Sequence, residues 1–564
     1  MDISTIYAGK DALMTYELYQ YQKEKLNKPD MSGLKYIWEN IEKPLIPILS
    51  DMNRYGVNIN MGMLNHLYQR YSEQLAIAEK QVYEEIDKYK NVIEEYKIRH
   101  YDNKLSDPIM ISSPMQLSIL FYDILGYKTK SGKGTGVAEL QEINTPLTKA
   151  LLQYRKMSKL IDAFLVSLPK RIEPSDGKIH TTLNQIGAET GRFSSSEPNL
   201  QQIPSRGEAK EIRRIFGATP GYIIMSSDFS QQEPRSLASL SNEPKMKEAY
   251  LLGKDLYATM ASDIYKLPYE DCMEFYLDEN GKKTDITNPE GKKRRSSVKS
   301  ILLGIMYGRG TASVAEQIHS TVEEAQKIID DFFESYPLIK TYTEEQQKLA
   351  KQRGYTVTAW GRRRYINHIQ SEKYEYHYND KRPVDFNPLF TAKSVVQKEV
   401  SQEIKDKYNE QLDKCNSYQR RKIIDQAKQE GIDIIDNSGY LAEAGRQVLN
   451  SIIQGSSADM SKKAMIALGT NQELKDLGFK MLFPVHDEVI AECPFENRQR
   501  CGELMSQLMV QAGADKITVP MRCDVEKSFF WYGPTVEDED DEITMKQYND
   551  FMTTGVYKDR KDYE

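Results

Sequence analysis

The sequence predicts an α+β protein that is largely helical and contains an antiparallel sheet. Its 564 residues are too many for one compact core, so several domains around a shared cleft are expected. Helical periodicity dominates residues 43–171, while the apolar runs 481–485 and 489–491 flank a polar turn, as in a β-hairpin. A hydrophobic content of 39% is enough for globular cores.

The sequence predicts an order of helices and strands along the chain. Apolar residues at three- and four-residue steps predict long helices in residues 43–171. One such face consists of Leu64, Leu67, Tyr71, Leu75 and Ala78. Residues 222–225 are typical of a buried strand, helical patterning returns at 236–351, and a further helix starts near 445, before the hairpin.

Three segments interrupt this order. The polar stretches 278–291 and 371–438 are interpreted as insertions, and a Gly-containing break at 128–136 predicts an exposed tip. Roughly the last thirty residues include the acidic run 537–542, which predicts a mobile C-terminal tail.

Charge, cysteine usage and the N-terminus narrow the function classes. The net charge of −7 disfavours a polyanionic partner, but phosphates are held by local basic stripes such as 292–295, 362–364 and 420–422. Each stripe alone is better explained as solvated surface. Five scattered cysteines indicate reduced thiols, without disulfides or a zinc site. The sequence has no apolar run long enough for a bilayer and no export signal, so a cytoplasmic protein without a membrane partner is expected.

Asp228 is the first candidate metal ligand. It follows the predicted strand 222–225, and a carboxylate at a strand end is held rigidly toward a cleft. The alternative is an N-cap of the following helix, which is equally common for a single Asp.

Asp487 is the second candidate. His486, Asp487 and Glu488 form the turn of the predicted hairpin, so Asp487 reaches the same cleft if the two strands are neighbours. Two-metal phosphoryl transfer needs carboxylates that bridge two ions, and Mg²⁺ suits this chemistry. The alternative is a turn that is polar because it is exposed.

Two helical stripes add candidate ligands for a substrate. Arg295, Lys299, Leu303 and Tyr307 recur every four residues and present two cations, an apolar residue and an aromatic ring along one face. The stripe Arg446, Asn450 and Gln454 offers hydrogen-bonding groups in the same spacing. For each stripe alone, an ordinary solvated helix face is the competing interpretation.

In their order and content these strings resemble the family A DNA polymerases, the class of bacterial DNA polymerase I and many phage replicases. Residues 190–195 and 198–204 are similar to the family's primer-strand motif, 228–235 to motif A, 295–308 to motif B and 486–488 to motif C. Residues 354–363 and 454–459 resemble further blocks. The resemblance extends from about residue 39 to 533.

The resemblance implies a right-hand fold with palm, fingers and thumb. The implied division is 1–38 as a remnant of a 3′–5′ exonuclease domain, 39–171 as the thumb, 172–235 as the first part of the palm, 236–444 as the fingers with the insertion 371–438, 445–533 as the second part of the palm, and 534–564 as the acidic tail. The implied activity is DNA-directed DNA polymerisation in replication, with primer-template DNA and dNTPs as partners.

The family's residue roles carry over to matching positions. Asp228 and Asp487 would bind two Mg²⁺ ions, with the Phe229 carbonyl assisting. Arg295 and Lys299 would contact the triphosphate, Lys299 also as a proton donor to the pyrophosphate. Leu303, Gln231, Glu233 and Tyr307 would line the nucleotide site, where Glu233 with Tyr307 excludes a ribose 2′-OH. The implied DNA contacts are Arg192, Asn199, Gln201, Arg446, Asn450, Gln454 and His486.

Several positions depart from the family pattern, and none of them removes a metal ligand. These are Phe229, Gln232, Pro234, Leu302, Leu303 and Pro484. At the N-terminus, Tyr7 and Asp11 resemble the last exonuclease motif, but one carboxylate is too few for two metals. The hypothesis is a polymerase without proofreading of its own, which leaves open a separate chain that carries the rest of the exonuclease domain.

Two rival functions are also compatible with these residues. A single-subunit RNA polymerase shares the two Asp residues, but Glu233 beside the sugar would obstruct ribonucleotides. A non-catalytic DNA-binding subunit would have no need of intact carboxylates. The departures and insertions favour a phage replicase that acts in a bacterial cell or phage-infected host.

Overall fold

The computed structural model describes residues 3–100, 104–130, 132–278, 283–379, 399–536, 542–554, 556, 558 and 560–563. The chain starts with three helices, α1 (Ile3–Leu26), α2 (Ser32–Ile37) and α3 (Lys43–Tyr55), and a π-helical turn, Trp38–Glu42, joins the last two. Residues 4–25 of α1 are exposed, whereas α3 is amphipathic and buries Leu45, Ile48 and Met52.

A helical region follows. It comprises α4 (Met61–Asp87), α5 (Lys90–Arg99), α6 (Pro114–Ser118), α7 (Val137–Ile143) and α8 (Pro146–Leu160). The Asn60 side chain caps α4 by accepting a hydrogen bond from the Met63 amide at 2.8 Å. Leu64, Leu67, Tyr71 and Ala78 are buried, as the periodicity predicts, and α4 packs against α8.

Short pairs of strands lead from the helical region into the main sheet. The strand β1 (Val57–Asn58) pairs with β2 (Lys178–Ile179), and β3 (Thr182–Asn184) pairs with β4 (Ser194–Ser196). The long strand β5 (Tyr222–Phe229) comes next, followed by α9 (Gln232–Leu240). The predicted strand is therefore real but longer than expected, and Asp228 lies inside it rather than after it.

A second helical region lies between β5 and the later strands. It comprises α10 (Pro244–Leu251), α11 (Leu256–Tyr265), β6 (Phe275–Leu277), β7 (Lys283–Thr287), α12 (Pro289–Met306), α13 (Thr311–Gln317), α14 (Val322–Ser335) and α15 (Pro337–Arg353). The first predicted insertion, 278–291, begins directly after β6 and contains β7, which pairs with β6, and the first residues of α12, and its residues 279–282 lie outside the described residues. Helix α12 confirms that Arg295, Lys299 and Leu303 share one helix, and Tyr307 lies at its C-cap.

The second predicted insertion folds as a small unit with its own core. After the hairpin of β8 (Tyr355–Val357) and β9 (Arg363–Tyr365), β10 (Tyr374–Tyr378) pairs with β11 (Ile432–Asp436), and α16 (Gln402–Asp413) and α17 (Ser417–Gln429) lie between them in sequence. The core includes Tyr376, Tyr408, Leu412 and Ile434. Residues 380–398 lie outside the described part of the chain.

The last elements complete the main sheet. They are α18 (Ser438–Thr470), α19 (Gln472–Asp476), β12 (Lys480–Val485), β13 (Glu488–Pro494), α20 (Arg498–Gln511), β14 (Cys523–Ser528) and α21 (Glu542–Thr554). The sheet has the order β12-β13-β5-β14 and is antiparallel throughout. The predicted hairpin is thus confirmed, and its strand β13 is a direct neighbour of β5.

Both faces of the main sheet are covered. Ile223, Met225 and Val489 face a core shared with α18 and α20, while Ile224, Ile490 and other residues of the opposite face pack against the α4–α8 side. This burial on both sides fixes the strand ends that carry the acidic residues.

The C-terminal segment differs from the predicted tail. Residues 537–541 of the acidic run lie outside the described residues, but α21 packs on the sheet core. The ring of Tyr548 stacks on Phe495 with centroids 4.0 Å apart, and Phe551 stacks on Phe529 at 4.7 Å. The expectation of a mobile end is therefore wrong for α21, because its aromatic face is buried.

Three expectations concern the chain as a whole. The predicted boundaries after residues 38, 235 and 444 fall within helical elements, and the division into domains stays a prediction. All five cysteines are free, as expected. Among the described helices, none has the length and apolar character that crossing a bilayer requires.

Candidate active site

The two candidate metal ligands lie at the same end of the main sheet. Asp228 is next to the end of β5, directly opposite Glu488 of β13 on one side and Asp524 of β14 on the other. Asp487 lies in the turn immediately before Glu488. The N-cap position of α9 is Gln231, so the capping alternative for Asp228 is excluded.

Three acidic side chains influence the Asp228 carboxyl. The pKa of the Asp228 carboxyl is raised, first by desolvation in its surroundings and then by the charges of Asp487, Glu526 and Asp524. Asp524 and Glu526 escaped the sequence-based prediction. Their alternation along β14, with both side chains exposed, is the signal that indicates a shared sheet face.

The backbone adds one more oxygen. The Ser230 amide donates to the Arg522 carbonyl of the β14 side at 2.9 Å. The N–H and C=O of one peptide unit point in opposite directions, so the Phe229 carbonyl points away from β14, toward the Asp487 side. The Phe229 side chain is buried in the sheet core.

Glu488 differs from its neighbour Asp487 because it has structural partners. Its carboxylate accepts hydrogen bonds from Arg213 at 3.3 Å and from the Trp531 indole at 3.2 Å. Sequence reasoning missed Arg213 and Trp531, which are far from the motif in sequence. His486, beside Asp487, has φ +58° and a pKa lowered first by desolvation and then by the nearby Arg192.

Three predicted nucleotide and DNA residues form one hydrogen-bonded cluster. Arg192 Nη2 and Tyr307 Oη both donate to the Glu233 carboxylate at 2.7 Å. The pKa of Tyr307 is raised by burial and by Glu233, with a smaller contribution from Asp487. Glu233 is therefore fixed between α12 and the loop before β4, close to the acidic residues.

Ligand sites typically enclose roughly 300–1,000 Å³. A cavity of about 660 Å³ opens beside the sheet end, next to Ser230 and Gln231. Five cations and two carboxylates line it. The cations are Arg235, Lys254, Lys283, Arg295 and Arg522, and the carboxylates are Asp255 and Glu274. The excess of positive charge suits a polyanionic ligand.

Of the two predicted phosphate ligands on α12, Arg295 lines this cavity and Lys299 does not. Arg295 forms a bidentate pair with Asp255 at 2.9–3.1 Å. Lys299 is exposed, and both cations lie over the ring of Tyr257, at 5.3 Å for Arg295 and 5.6 Å for Lys299. Gln231 lines the cavity and accepts a hydrogen bond from Tyr250 at 3.0 Å, whereas Leu303 is half-buried.

The stripe Arg446, Asn450 and Gln454 on α18 runs from the end of α12, near Tyr307, to the loop that carries Arg192. A Cβ on Gly308, which has φ +65°, would lie 2.5 Å from the Arg446 Cβ, so the end of α12 touches the exposed Arg446. Gly455 faces the Thr190 carbonyl at the other end of the stripe. Asn450 and Gln454 are half-buried between these contacts.

Asn199 and Gln201 are tied to the protein itself. The Asn199 side chain accepts a hydrogen bond from the Gln201 amide at 3.0 Å, which caps a 3₁₀ turn. The Gln201 side chain donates to the Pro484 carbonyl of β12 at 3.4 Å. The loop therefore lies beside the hairpin that carries Asp487.

The basic stripe 362–364 is largely neutralised within the protein. Arg362 pairs with Glu42 and with Asp459, Arg363 with Asp30, and Arg364 with Glu189 at 2.7 Å. Since these cations already have acidic partners within the protein, the structure does not favour a phosphate-binding role for this stripe. Of the other stripes, Lys292 pairs with Glu274 at 3.3 Å and Arg420 with Asp436 at 3.3 Å.

Two of the residues that depart from the pattern of the resembled family, Gln232 and Leu302, have structural roles. Gln232 is buried and donates to the Ser457 carbonyl at 3.2 Å and to the Ser461 hydroxyl at 3.1 Å, which ties α9 to α18. Leu302 is buried in the core around α11 and α12. Within the described ranges, no group of three or more His, Cys, Asp or Glu side chains forms a ready metal cage.

Comparison with known proteins gives one consistent family. A model of DNA polymerase family A matches residues 72–384 and 390–533. DNA polymerase I of Caldicellulosiruptor bescii is 27% identical over 538 residues, which cover 94% of this chain and 51% of that protein. DNA polymerase I of Synechocystis sp. is 30% identical over 535 residues, 93% of this chain and 45% of that protein. The chain thus spans about half the length of these curated relatives.

A solved structure extends the likeness to the fold. The POL domain of Pol1 from M. smegmatis, in complex with DNA primer-template and dNTP, has a TM-score of 0.61 and 28% identity. The match covers 87% of this chain and 70% of that one.

Proposed function

Because the chain belongs to DNA polymerase family A, we propose that it is a template-directed DNA polymerase that extends a primer 3′ end with dNTPs by two-metal phosphoryl transfer in DNA replication. One observation carries the proposal: Asp228 and Asp487, far apart in sequence, meet at one sheet end beside a cation-lined cavity. The clustered acidic charge and the excess of cations suit a metal ion and a triphosphate, respectively.

The acidic residues fit two Mg²⁺ ions. Asp228, Asp487 and the Phe229 carbonyl would hold them, since Mg²⁺ accepts a few hard oxygen ligands and takes the rest from water and substrate phosphates. The raised pKa of Asp228 supports this, because a divalent cation relieves the repulsion that raises it. Held there, two ions would supply activation of the attacking 3′ oxygen and neutralisation of charge on the triphosphate.

The cavity residues would bind and orient the incoming nucleotide. Arg295 donates up to two parallel hydrogen bonds and is suited to phosphate oxygens. Lys299 on the same helix face would hold a proton for the pyrophosphate leaving group. Gln231 and Leu303 would complete the nucleotide site.

Glu233 would select the sugar. Hydrogen bonds from Arg192 and Tyr307 hold its carboxylate in one position, so it would obstruct a 2′-OH at the neighbouring sugar. This feature favours a DNA polymerase over a single-subunit RNA polymerase.

Primer and template would lie along the surfaces beside the acidic residues. The proposed contacts lie on the loops before and after β4, on α18 or at the hairpin turn, and they are Arg192, Asn199, Gln201, Arg446, Asn450, Gln454 and His486. In the proposed right hand, the main sheet is the palm, the region α10–α15 the fingers and the region α4–α8 the thumb.

Primer extension tests the proposal. A labelled primer on a longer template, Mg²⁺ and either dNTPs or rNTPs are incubated with the parent, with Asp487→Ala and with Asp87→Ala, whose side chain is exposed at the end of α4. We expect extension with dNTPs by the parent and the Asp87 variant only. Preferred use of rNTPs would support the RNA polymerase alternative, and equal activity of the Asp487 variant would contradict the assigned chemistry. DNA binding without synthesis would support a DNA-binding subunit.

Two finer parts of the proposal concern its biological setting. We propose a phage replicase, and we propose that this chain alone has no proofreading activity. Tyr7 and Asp11 lie one turn apart on the exposed helix α1, without a metal-binding group of acids in the described residues. Incubation with a mismatched primer and Mg²⁺ but no nucleotides should leave the primer intact, and 3′ shortening would contradict this part.

A further inference from the structure

The β6–β7 hairpin forms part of the wall of the cation-lined cavity. Phe275 and Lys283 of the hairpin line this space, as does Glu274 directly before it. The Lys283 ammonium lies 4.1 Å from the centre of the Phe275 ring. This cation–π contact keeps a flexible lysine beside the cavity.

The base of the hairpin is fixed against α12. The Asn288 amide donates to the Glu274 carbonyl at 2.9 Å, and the Asn288 side chain accepts from the Gly291 amide at 3.0 Å. A Cβ on Gly291 would lie only 2.0 Å from the Met273 carbonyl oxygen, so the two backbones are in direct contact. Because α12 also carries Arg295, the hairpin and Arg295 keep a fixed relative position.

Glu274 is bound to the cations that face the cavity. Its carboxylate lies 3.4 Å from Arg295 Nη1 and 3.3 Å from Lys292 Nζ. These contacts are longer than the Arg295 pair with Asp255 at 2.9 Å. A phosphate that binds Arg295 therefore competes first with Glu274, the more weakly held carboxylate.

We propose that the β6–β7 hairpin is a nucleotide-binding element, in which Lys283 binds the phosphates of the incoming nucleotide and Glu274 is the counter-ion that these phosphates displace. The inference rests on the proposed polymerase function and adds two residues to Arg295 and Lys299. The two residues act with opposite sign: Lys283 strengthens nucleotide binding, and Glu274 weakens it.

Equilibrium binding on a blocked primer tests the pair of residues without chemistry. The parent, Lys283→Ala and Glu274→Gln are mixed with Mg²⁺ and a primer-template whose primer ends in a dideoxynucleotide, and the dNTP concentration for half-maximal complex formation is measured. Lys327→Ala, an exposed lysine of α14 outside the cavity, is the matched control. We expect Lys283→Ala to raise this concentration about three- to tenfold and Glu274→Gln to lower it about threefold.

The same signs should appear in the KM for dNTP during primer extension, with kcat nearly constant, because the lost contacts bind ground state and transition state alike. Lys283→Arg should restore most of the affinity. Unchanged affinity in both variants, or losses of affinity and kcat in both, would overturn the inference. A parent that extends no primer would instead contradict the proposed function as a whole.

Discussion

Two groups of acidic residues near the main sheet differ in how their charge is balanced. In the buried ion network, defined here as Glu42, Arg362, Asp459 and Lys462, each acid has a cation partner. In the acid pair, Asp228 and Asp487, the acidic neighbours add to the charge. The network joins the start of α3, the β8–β9 hairpin and α18, whereas the acid pair lies at one end of the main sheet.

The pKa directions express this difference. The pKa of Glu42 is lowered although burial alone would raise it, because Lys462 and Arg362 outweigh the desolvation. Burial raises the pKa of Asp459, but there Arg362 and Thr358 oppose the shift. For Asp228 the charges of Asp487, Glu526 and Asp524 act in the same direction as desolvation. The acids of the buried ion network have cation partners within the protein, so they serve a structural role. The carboxylates of the acid pair are available to bind a ligand.

The largest effect is expected from Asp228→Asn. Loss of this carboxylate should reduce the single-turnover rate of primer extension on the order of a thousandfold, since a metal ligand supplies several kcal/mol of transition-state stabilisation. The melting temperature should stay the same or rise, because the repulsion from Asp487 is removed. Asp524→Asn, opposite Asp228 in the sheet and paired with Arg522, is the control and should retain most activity. A near-normal rate for Asp228→Asn would contradict its role.

Substitutions in the buried ion network should instead lower the stability of the fold. Lys462→Met leaves buried acids short of a cation and should lower the free energy of unfolding by about 3 kcal/mol. Lys463→Met, one residue further along α18, removes a partly exposed pair with Asp515 and should cost less than about 1 kcal/mol. Chemical denaturation measures both, and equal costs would refute the distinction between buried and exposed pairs.

Glu488→Gln tests the difference between a partnered acid and the acid pair at two adjacent residues, Glu488 and Asp487. Glu488 is adjacent to Asp487 in sequence but is held by the buried Arg213 and by Trp531. Its substitution should cost about 1–2 kcal/mol of unfolding free energy, because Arg213 keeps a hydrogen bond but loses its charged partner. The polymerisation rate should fall far less than with Asp487→Ala. A loss of rate as large as that of the Asp487 variant would place Glu488 with the acid pair.

Glu233 shares features of both groups. It is paired with Arg192, and its hydrogen-bond partner Tyr307 is influenced by the charge of Asp487. Glu233→Ala should raise the relative use of rNTPs on the order of tenfold, by removing the obstruction to a 2′-OH. The ratio of kcat/KM for rNTP and dNTP gives the effect. Selectivity equal to that of the parent would count against the steric assignment.

The sequence allowed the elements around the site to be predicted where the local pattern was strong. The four-residue stripes on α12 and α18 and the hairpin around Asp487 follow from periodicity alone. The adjacency of β5 and β13, on which the acid pair depends, was only a condition in the sequence-based prediction. It results from packing on both sheet faces, which no local pattern specifies.

Other features were out of reach of the sequence because they depend on distant partners. The stripe 362–364 has the composition of a phosphate site, but Glu42, Asp459 and Glu189 neutralise much of it. The role of Glu274 depends on the position of the hairpin against α12, and α21 depends on aromatic contacts with Phe495 and Phe529. Such pairings arise only when the chain is folded.

Anomalous diffraction from crystals grown with Mn²⁺, a dideoxy-terminated primer-template and dNTP would locate the ions themselves. Two anomalous peaks are expected between the carboxylates of Asp228 and Asp487, with the triphosphate extending toward Arg295. Peaks bound elsewhere on the protein, with these two carboxylates uncoordinated, would contradict two-metal catalysis at this sheet end.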